Sequence, residues 1–325
     1  MEKDYIVCVG GDESRAAFLI KGEKNILFDA GMAYSAGKMV ERLERELQGR
    51  PLDAVLLSHS HYDHVSGLPF LRQRWPELVV YGSLHAKEIL EKPSARKMMR
   101  ELSEAAAKGA GLEALPAYED EALRVDVVVR DREVLDFSAG AEAQMECCRN
   151  GEAEGASRSQ AHKITVFETP GHTRCSLSFL VDDDVIFASE TVGVTTRKVY
   201  MPCYLVGYQM ALDAVEKLRN CGAKRIFITH VGILTEADRR TVLHGLGGRD
   251  FTPEAVWDYL EEELRRTKDE IVEIIKKYPA KEERLSEMLL RYHDGVGQGE
   301  QPDFAFLLNA AASLKVVERE CMQSL

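Results

Sequence analysis

The chain has 325 residues, of which 45% are hydrophobic and 30% are charged, and its formal net charge is −12. This composition is that of a compact globular protein and excludes an intrinsically disordered chain. The negative charge, with no cluster of Lys and Arg interrupted by aromatic residues, argues against a nucleic-acid partner. No segment has the pattern of a signal peptide or a spanning helix, so the sequence predicts a cytoplasmic protein with no membrane partner.

Short apolar runs alternate with segments of helical periodicity through the first two thirds of the chain. A short apolar run between turn residues is typical of a buried strand, whereas apolar residues spaced by three and four indicate a helix. Strands are predicted at 5–9, 16–20, 25–28, 54–57, 78–81, 125–129, 163–168, 176–181, 185–188 and 225–228. Helices are predicted at 35–47, 84–90, 95–107 and 209–219, and a further helix is predicted to begin at Thr235. This alternation predicts an α/β fold.

From residue 251 onward the pattern is helical throughout. Trp257, Leu260 and Leu264 belong to one apolar stripe, and Phe306 and Leu314 belong to another. We therefore predict an α/β domain over 1–250 and a helical C-terminal extension over 251–325. This extension is a candidate cap for a site on that domain, with docking or dimerisation as the alternative roles. The segment 138–161 is rich in Gly, Ser, Ala and Glu and is predicted to be an exposed insertion.

A cluster of metal-binding residue types follows the predicted strand at 54–57. The cluster is Ser58-His59-Ser60-His61-Tyr62-Asp63-His64. Imidazole and carboxylate are the ligands that Zn²⁺ and similar cations prefer. Alternate residues of an extended turn can direct His59 and His61 at one ion while Asp63 and His64 face a second. The spacing therefore predicts a site for two metal ions.

Two further histidines follow predicted strands at equivalent positions. His172 lies four residues after the strand that ends at 168, and His230 lies two residues after the strand that ends at 228. The carboxyl ends of parallel strands converge on one edge of a sheet. Both histidines are therefore predicted to complete the metal cluster, although they are distant from it in sequence.

Three segments together resemble the metallo-β-lactamase superfamily, in its hydroxyacylglutathione-hydrolase-like branch, from residue 1 to about residue 245. They are His59-x-His61-x-Asp63-His64, the turn Gly171-His172-Thr173, and His230-x-Gly232. The resemblance implies an α/β (α+β) fold, namely a four-layer αββα sandwich of two mixed β-sheets flanked by helices, with a dinuclear site on one edge. Asp29, in Phe28-Asp29-Ala30-Gly31, resembles the family's early Asp-x-Gly element. That likeness implies that Asp29 supports the metal loop without binding metal.

One departure from the family pattern concerns the carboxylate that bridges the two metals. The family usually places an aspartate after a late strand, and here the segment Ser189-Glu190-Thr191 offers a glutamate. A glutamate carboxylate can bridge two ions if the backbone or the denticity absorbs its additional methylene. Glu190 is therefore predicted to be the bridging ligand. The alternative is that Glu190 only supports other ligands and that one metal is weakly bound.

The resemblance implies a metal-dependent hydrolase with two divalent ions per chain, zinc first and iron or manganese as alternatives. Water held by such ions has its pKa lowered toward roughly 7, which yields hydroxide at neutral pH. That metal-bridging hydroxide is the predicted nucleophile. Asp63 is predicted to orient it as well as to bind metal.

The predicted partner is a small-molecule substrate. A metal motif followed by an all-helical tail resembles the quinolone-signal response proteins, by layout more than by motif, and that likeness implies cleavage of a thioester or ester in a deep pocket. We therefore predict hydrolysis of a thioester or ester first and of a phosphodiester next.

Two other functions stay open on the sequence. One is an iron-dependent oxidoreductase on the same fold, although the flavin-partnered diiron branch usually has glutamate where this chain has His61. The other is a regulatory or binding protein that keeps the metal site with weak catalysis, for which Glu190 and the helical tail are the reasons. A homodimer is also compatible with the sequence.

Overall fold

The computed structural model describes residues 5–12, 14–138, 160–195, 199–243 and 246–322. The strands are Ile6–Cys8 (β1), Phe18–Ile20 (β2), Ile26–Phe28 (β3), Ala54–Leu56 (β4), Val79–Gly82 (β5), Val127–Val128 (β6), Val134–Asp136 (β7), Lys163–Glu168 (β8), Leu177–Val181 (β9), Val185–Ala188 (β10), Val194–Thr195 (β11), Tyr200–Met201 (β12), Arg225–Ile228 (β13) and Gly232–Ile233 (β14). The α-helices are Ala36–Leu47 (α1), Tyr62–Val65 (α2), Leu68–Arg74 (α3), Leu84–Leu90 (α4), Pro93–Gly109 (α5), Tyr208–Arg219 (α6), Pro253–Lys277 (α7), Lys281–Tyr292 (α8) and Asp303–Cys321 (α9). Of the helices in these ranges, none combines the length and the apolar character needed to cross a membrane.

Two six-stranded mixed sheets form the centre of the molecule. The first has the order β1-β2-β3-β4-β5-β6, antiparallel through β3 and parallel from β3 to β6. The second has the order β14-β13-β10-β9-β8-β7, in which only β10 and β13 pair in parallel. Strands β11 and β12 form a separate antiparallel pair.

The sheets pack face to face through aromatic side chains. Phe28 of the first sheet lies 4.9 Å from Phe187 and 5.4 Å from Phe227 of the second, measured between ring centroids. Phe187 and Phe227 occupy paired positions on β10 and β13, and their rings stack at 4.3 Å. Each aromatic pair contributes roughly 0.5–1.5 kcal/mol beyond its buried area. This interface therefore fixes the two sheets relative to each other, and with them the loops at their shared edge.

Helices cover the outer face of each sheet. Helix α1 packs Met39, Leu43 and Leu47 on the first sheet, and α6 packs Val215 and Leu218 on the second. Strands β4 and β10 are consequently buried along their whole length, which is why their sequences are continuous apolar runs. The layers are helix, sheet, sheet and helix, so the predicted αββα sandwich is confirmed.

The C-terminal residues form three helices, α7 to α9, which confirms the predicted helical extension. The predicted stripe on α7 is buried, and Trp257, Leu260 and Leu264 join the same core as α6 and the outer face of the second sheet. On α9, Phe306 and Leu314 enter that core as well. The division into domains at residue 250 stays a prediction.

The predicted helix at Thr235 is wrong beyond its first turn. A 3-10 helix covers Glu236–Arg239, and the carboxylate of Asp238 accepts hydrogen bonds from the nitrogen and hydroxyl of Thr235 at 2.8 and 2.6 Å. The chain then turns inward because Val242 and Leu243 are buried in the core of the second sheet. Most of the predicted insertion at 138–161 lies outside the described residues.

Candidate metal centre

The predicted ligands follow four strands that end at the same edge of the two sheets. His59 and His61 come after β4, and helix α2 carries Asp63 and His64 directly behind them. The remaining ligands follow other strands: His172 comes after β8, Glu190 after β10 and His230 after β13.

The parallel pairing of strands determines which of these chain segments lie next to each other at this edge. Because Ala188 pairs with Ile228 in the second sheet, the chain segments that carry Glu190 and His230 leave it side by side. In the first sheet Phe28 pairs with Leu56, which places Asp29 next to Ser58.

Three imidazoles and one carboxylate form the first cluster, called here the His59 group. The Nε2 atom of His172 lies 3.2 Å from Nε2 of His59 and 3.0 Å from Nδ1 of His61. Glu190 contributes Oε2, at 3.1 Å from the same His172 nitrogen. One hydrogen cannot satisfy three nitrogens that converge on a point, whereas a cation accepts a lone pair from each. The donor set of the His59 group therefore fits a divalent metal.

A second cluster, the His64 group, contains Asp63, His64, Glu190 and His230. Oε1 of Glu190 lies 2.9 Å from Nε2 of His64 and 2.8 Å from Nε2 of His230. Asp63 places Oδ2 at 3.4 Å from the same His64 nitrogen. Two imidazoles and two carboxylates are also a suitable donor set for zinc or iron.

Glu190 belongs to both clusters, and its two oxygens are divided between them. Oε2 faces the His59 group, and Oε1 faces the His64 group. The residue begins a 3-10 helix, Glu190–Val192, in which the hydroxyl of Ser189 accepts a hydrogen bond from the nitrogen of Thr191. This short helix presents the glutamate carboxylate between the two groups despite its additional methylene.

The profile of the metallo-beta-lactamase superfamily matches residues 10–230, which include every residue of both clusters. The chain belongs to the metallo-β-lactamase superfamily. Members of this superfamily are mostly hydrolases and bind divalent metals such as zinc or iron. The fold and the His, Asp and Glu clusters thus support a metal-dependent hydrolase in general.

Individual relatives agree with this assignment. A metallo-beta-lactamase fold-containing protein of Sulfurisphaera tokodaii, ST1585, is 23% identical over 228 residues, which are 69% of this chain and 75% of that protein. The crystal structure of ST1585 superimposes with a TM-score of 0.55 at 18% identity, covering 97% of this chain and 98% of the other, and shows a common fold. The probable metallo-hydrolase YqgX of Bacillus subtilis is 25% identical over 57% of this chain and 68% of its own length.

Similarity to the hydroxyacylglutathione hydrolases is confined to short segments. The enzyme of Photorhabdus laumondii is 54% identical over 37 residues, which are 11% of this chain and 15% of that protein. The predicted superfamily is therefore confirmed over most of the chain, whereas the predicted branch is supported by a short match.

Within this superfamily site, the outer ring nitrogens of three histidines bind acceptors of the chain. Nδ1 of His64 lies 2.8 Å from a carboxylate oxygen of Asp29, Nδ1 of His172 lies 2.8 Å from the Cys203 carbonyl, and Nδ1 of His230 lies 2.7 Å from the Ser14 carbonyl. Because these acceptors require a proton on Nδ1, each neutral ring presents the lone pair of Nε2 to the cluster. Ser14 and Cys203 were missed from sequence, since a backbone carbonyl has no residue-type signal.

Asp29 contacts the His64 group directly and the His59 group through Ser58. Its carboxylate accepts hydrogen bonds from the Ser58 nitrogen and the Ser58 hydroxyl, both at 2.7 Å, and from His64. The Ser58 hydroxyl in turn lies 2.9 Å from Nδ1 of His59. One buried carboxylate thus orients a histidine in each group, which agrees with the supporting role that the resemblance implies for Asp29.

Two residues of the site have left-handed backbone conformations, which residues other than glycine seldom adopt. Asp29 has φ of 56° and His230 has φ of 67°. Left-handed backbone at such residues carries a conformational cost and persists only where surrounding contacts hold it. The hydrogen bonds of Asp29 and the contact between His230 and the Ser14 carbonyl provide that restraint.

The His59 group favours neutral imidazoles. Burial lowers the pKa of His59 well below its ordinary value, and repulsion from His64 adds to this effect. Burial together with repulsion from His172 lowers the pKa of His61 to about 4. At His172 burial also lowers the pKa, although the charge of Glu190 opposes it. Neutral imidazole is the form that binds metal, so these residues need not lose a proton first.

Charge is distributed differently in the His64 group. Burial alone would lower the pKa of His64 and of His230. The carboxylates of Asp63 and Asp29 raise the pKa of His64, and the carboxylate of Glu190 raises the pKa of His230. The pKa of Glu190 is lowered well below its ordinary value because the neighbouring histidines outweigh its burial. Protons shared between imidazole and carboxylate stabilise this group when no cation is bound, and a bound cation would replace them.

Ser58→Ala is expected to weaken metal binding at the His59 group by about tenfold, because the hydroxyl that connects His59 to Asp29 is lost. Ser60→Ala is the matched control, since its hydroxyl lies 3.3 Å from the Cys175 sulfur and contacts no ligand. Competition with a chromogenic chelator measures both affinities. An equal decrease in the two variants would assign the effect to the loop in general and not to His59.

A cleft of about 940 Å³ opens from the metal centre. His61, Asp63, His172, Glu190 and His230 line its base. Its walls come from α5, from the strands β11 and β12, and from the C-terminal helix α9. Such a volume lies in the range of small-molecule sites.

Proposed function

We propose that this protein is a dinuclear metal-dependent hydrolase that cleaves a thioester or an ester. The observation that carries the proposal is the division of the Glu190 oxygens between two clusters of imidazole and carboxylate. A shared carboxylate of this kind suits two cations a few ångströms apart, each with histidine ligands of its own.

In this proposal the chain holds one cation through His59, His61 and His172 and the other through Asp63, His64 and His230, with Glu190 on both. When bound, two divalent cations supply a Lewis acid for the carbonyl oxygen and lower the pKa of water toward neutrality. Zinc is the proposed metal, and iron and manganese are the alternatives that the same donor set accepts.

Asp63 has a second proposed role, because its side chain is 19% exposed and lines the cleft. A carboxylate there can accept a hydrogen bond from the attacking water and so orient it toward the substrate. In the reaction water adds to the acyl carbon, the C–S or C–O bond breaks, and the products are a carboxylate, a free thiol or alcohol and one proton. Asp63 is thus proposed both to bind a metal and to position the nucleophile.

The choice of a thioester or ester has two supports. The matched segment of the Photorhabdus protein belongs to a hydrolase whose name specifies an acylated thiol. One wall of the cleft, formed by Met98, Met99, Ala305 and Leu308, is also apolar enough to bind an acyl group.

Elemental analysis of the purified protein tests the dinuclear site. We expect about two equivalents of metal in the parent and about one or fewer in His59→Ala/His61→Ala, which loses two ligands of one group. His85→Ala is the control, because His85 lies in the cleft but belongs to neither cluster. A parent that binds no metal after reconstitution would contradict the proposal, whereas metal binding without turnover would favour the regulatory or binding protein that keeps the metal site.

Activity is then measured on neutral thioesters, esters and bis-nitrophenyl phosphate. Metal-dependent turnover of a thioester or ester is the expected result. Turnover of the phosphodiester alone would change the substrate class, and metal-dependent electron transfer without hydrolysis would support the oxidoreductase.

A further inference from the structure

One wall of the cleft is apolar and comes from two helices that are distant in sequence. Helix α5 contributes Met98 and Met99, and helix α9 contributes Ala305 and Leu308. Met98 and Leu308 are 43% and 44% exposed although both side chains are large and apolar. Exposed apolar side chains gathered in a cleft mark a surface that binds an apolar partner. Here the surface continues into the metal centre, so its occupant is part of the molecule that reacts there.

Two arginines line the cleft, and each lies close along the chain to a residue that belongs to a cluster or contacts one. Arg174 lies two residues after His172 of the His59 group. Arg15 follows Ser14, whose carbonyl accepts the hydrogen bond from His230 of the His64 group. Both arginines are exposed and line the cleft.

Neither guanidinium has a carboxylate within ion-pair distance in the part of the chain that the structure describes. Arg15 has a contact of another kind, with its guanidinium carbon 5.9 Å from the centre of the Phe18 ring. The lining also contains Asp238 and Glu300, and both have other contacts, Asp238 with Thr235. A guanidinium without a carboxylate partner, in a chain of net charge −12, is available to pair with an anion of the substrate.

We propose that the substrate is an amphipathic acyl thioester or ester. Its apolar acyl chain lies on the wall formed by Met98, Leu308 and their neighbours, and its anionic leaving group binds Arg174 and Arg15. Because the apolar wall is assigned to the acyl chain, the charge is assigned to the leaving group. This inference rests on the hydrolase function proposed above and adds the substrate class.

Chain length tests the apolar wall. The probes are acetyl, hexanoyl and decanoyl thioesters of N-acetylcysteamine, which is neutral. We expect kcat/KM to rise by about tenfold or more from acetyl to hexanoyl, since each buried methylene contributes roughly threefold. In Met98→Gln/Leu308→Gln the ratio of hexanoyl to acetyl kcat/KM is expected to fall to within about threefold. Leu290→Gln is the matched control, because Leu290 is 71% exposed on α8 and does not line the cleft.

Charge on the leaving group tests the arginines. Decanoyl thioesters of coenzyme A, which carries phosphates, and of glutathione, which carries carboxylates, are compared with the neutral thioester. Arg174→Gln/Arg15→Gln is expected to raise KM about tenfold or more for at least one anionic series, and by less than that for the neutral series. The series whose KM rises shows whether the arginines bind the phosphates of coenzyme A or the carboxylates of glutathione. Arg45→Gln, on the exposed face of α1, controls for the loss of positive charge.

A binding experiment separates failure of this inference from failure of the proposed hydrolase. The probe is the non-hydrolysable S-decyl thioether of coenzyme A or of glutathione, titrated by calorimetry into metal-free protein. Binding that Met98→Gln/Leu308→Gln weakens, with no turnover of any thioester, would retain the site and refute the hydrolase. Turnover that is indifferent to chain length and to leaving-group charge would overturn the inference and leave the hydrolase standing. An equal loss on neutral and anionic probes in the arginine variant would contradict an anion-binding role.

Discussion

Glu190→Gln is expected to lower metal content at both clusters and to reduce hydrolysis by about a hundredfold or more. The glutamine has the same shape, but its amide nitrogen cannot act as the second carboxylate oxygen, and the negative charge is lost. Since Oε2 faces the His59 group and Oε1 faces the His64 group, one substitution affects both. Elemental analysis and steady-state kinetics on the same preparation measure the two effects together.

Two further variants make the Glu190 experiment specific. Glu190→Asp keeps the charge on a side chain shorter by one methylene, so it is expected to retain more metal than the glutamine variant. Glu282→Gln, on the exposed surface of α8, removes a charge away from the site. If metal content in Glu190→Gln equals that of the parent, Glu190 is not a ligand and the dinuclear proposal loses its central observation.

Asp29→Asn is expected to lower the free energy of unfolding by about 2–4 kcal/mol, because a buried acceptor becomes in part a donor. Ser58 and His64 would then present hydrogens to an amide NH₂ group. Backbone strain does not explain such a loss, since asparagine adopts the left-handed conformation at φ of 56° as readily as aspartate. Urea unfolding of the metal-free protein measures the change directly.

The same variant is expected to weaken binding of both metals by about ten- to a hundredfold, since Asp29 orients His64 directly and His59 through Ser58. Asp213→Asn, exposed on α6, provides the control for a change of charge. Stability lost without any change in metal affinity would limit Asp29 to a role in the fold. Affinity lost at the His64 group alone would show that the contact through Ser58 does not orient His59.

Four of the candidate ligands could be proposed from the sequence because their signals are local. His59, His61, Asp63 and His64 lie within six residues of one another, directly after an apolar run that had to be a buried strand. Continuous apolar runs also predicted β4 and β10, since helices cover both faces of these strands. The short strands β11, β12 and β14 were missed because two residues are too few for any periodicity.

Contacts between distant segments could not be predicted in this way. Whether Glu190 reaches one cluster or both depends on where β10 ends relative to β4, β8 and β13, and only the packing of two sheets sets those positions. The carbonyls of Ser14 and Cys203 became partners of histidines for the same reason. Thr235 carries a helix-start signal, but burial of Val242 and Leu243 ended the helix after one turn.

By itself the sequence determined the identity of the candidate ligands, the order of the main elements and the superfamily, because each of these is recorded in short patterns along the chain. Tertiary structure decided how the ligands divide into two clusters and which surface faces the substrate. Met98 and Leu308 line one cleft although they lie 210 positions apart in the chain. The two segments come together because Ala305 of α9 is buried in the same hydrophobic core as Met99 of α5, and burial between segments distant in sequence has no local signature.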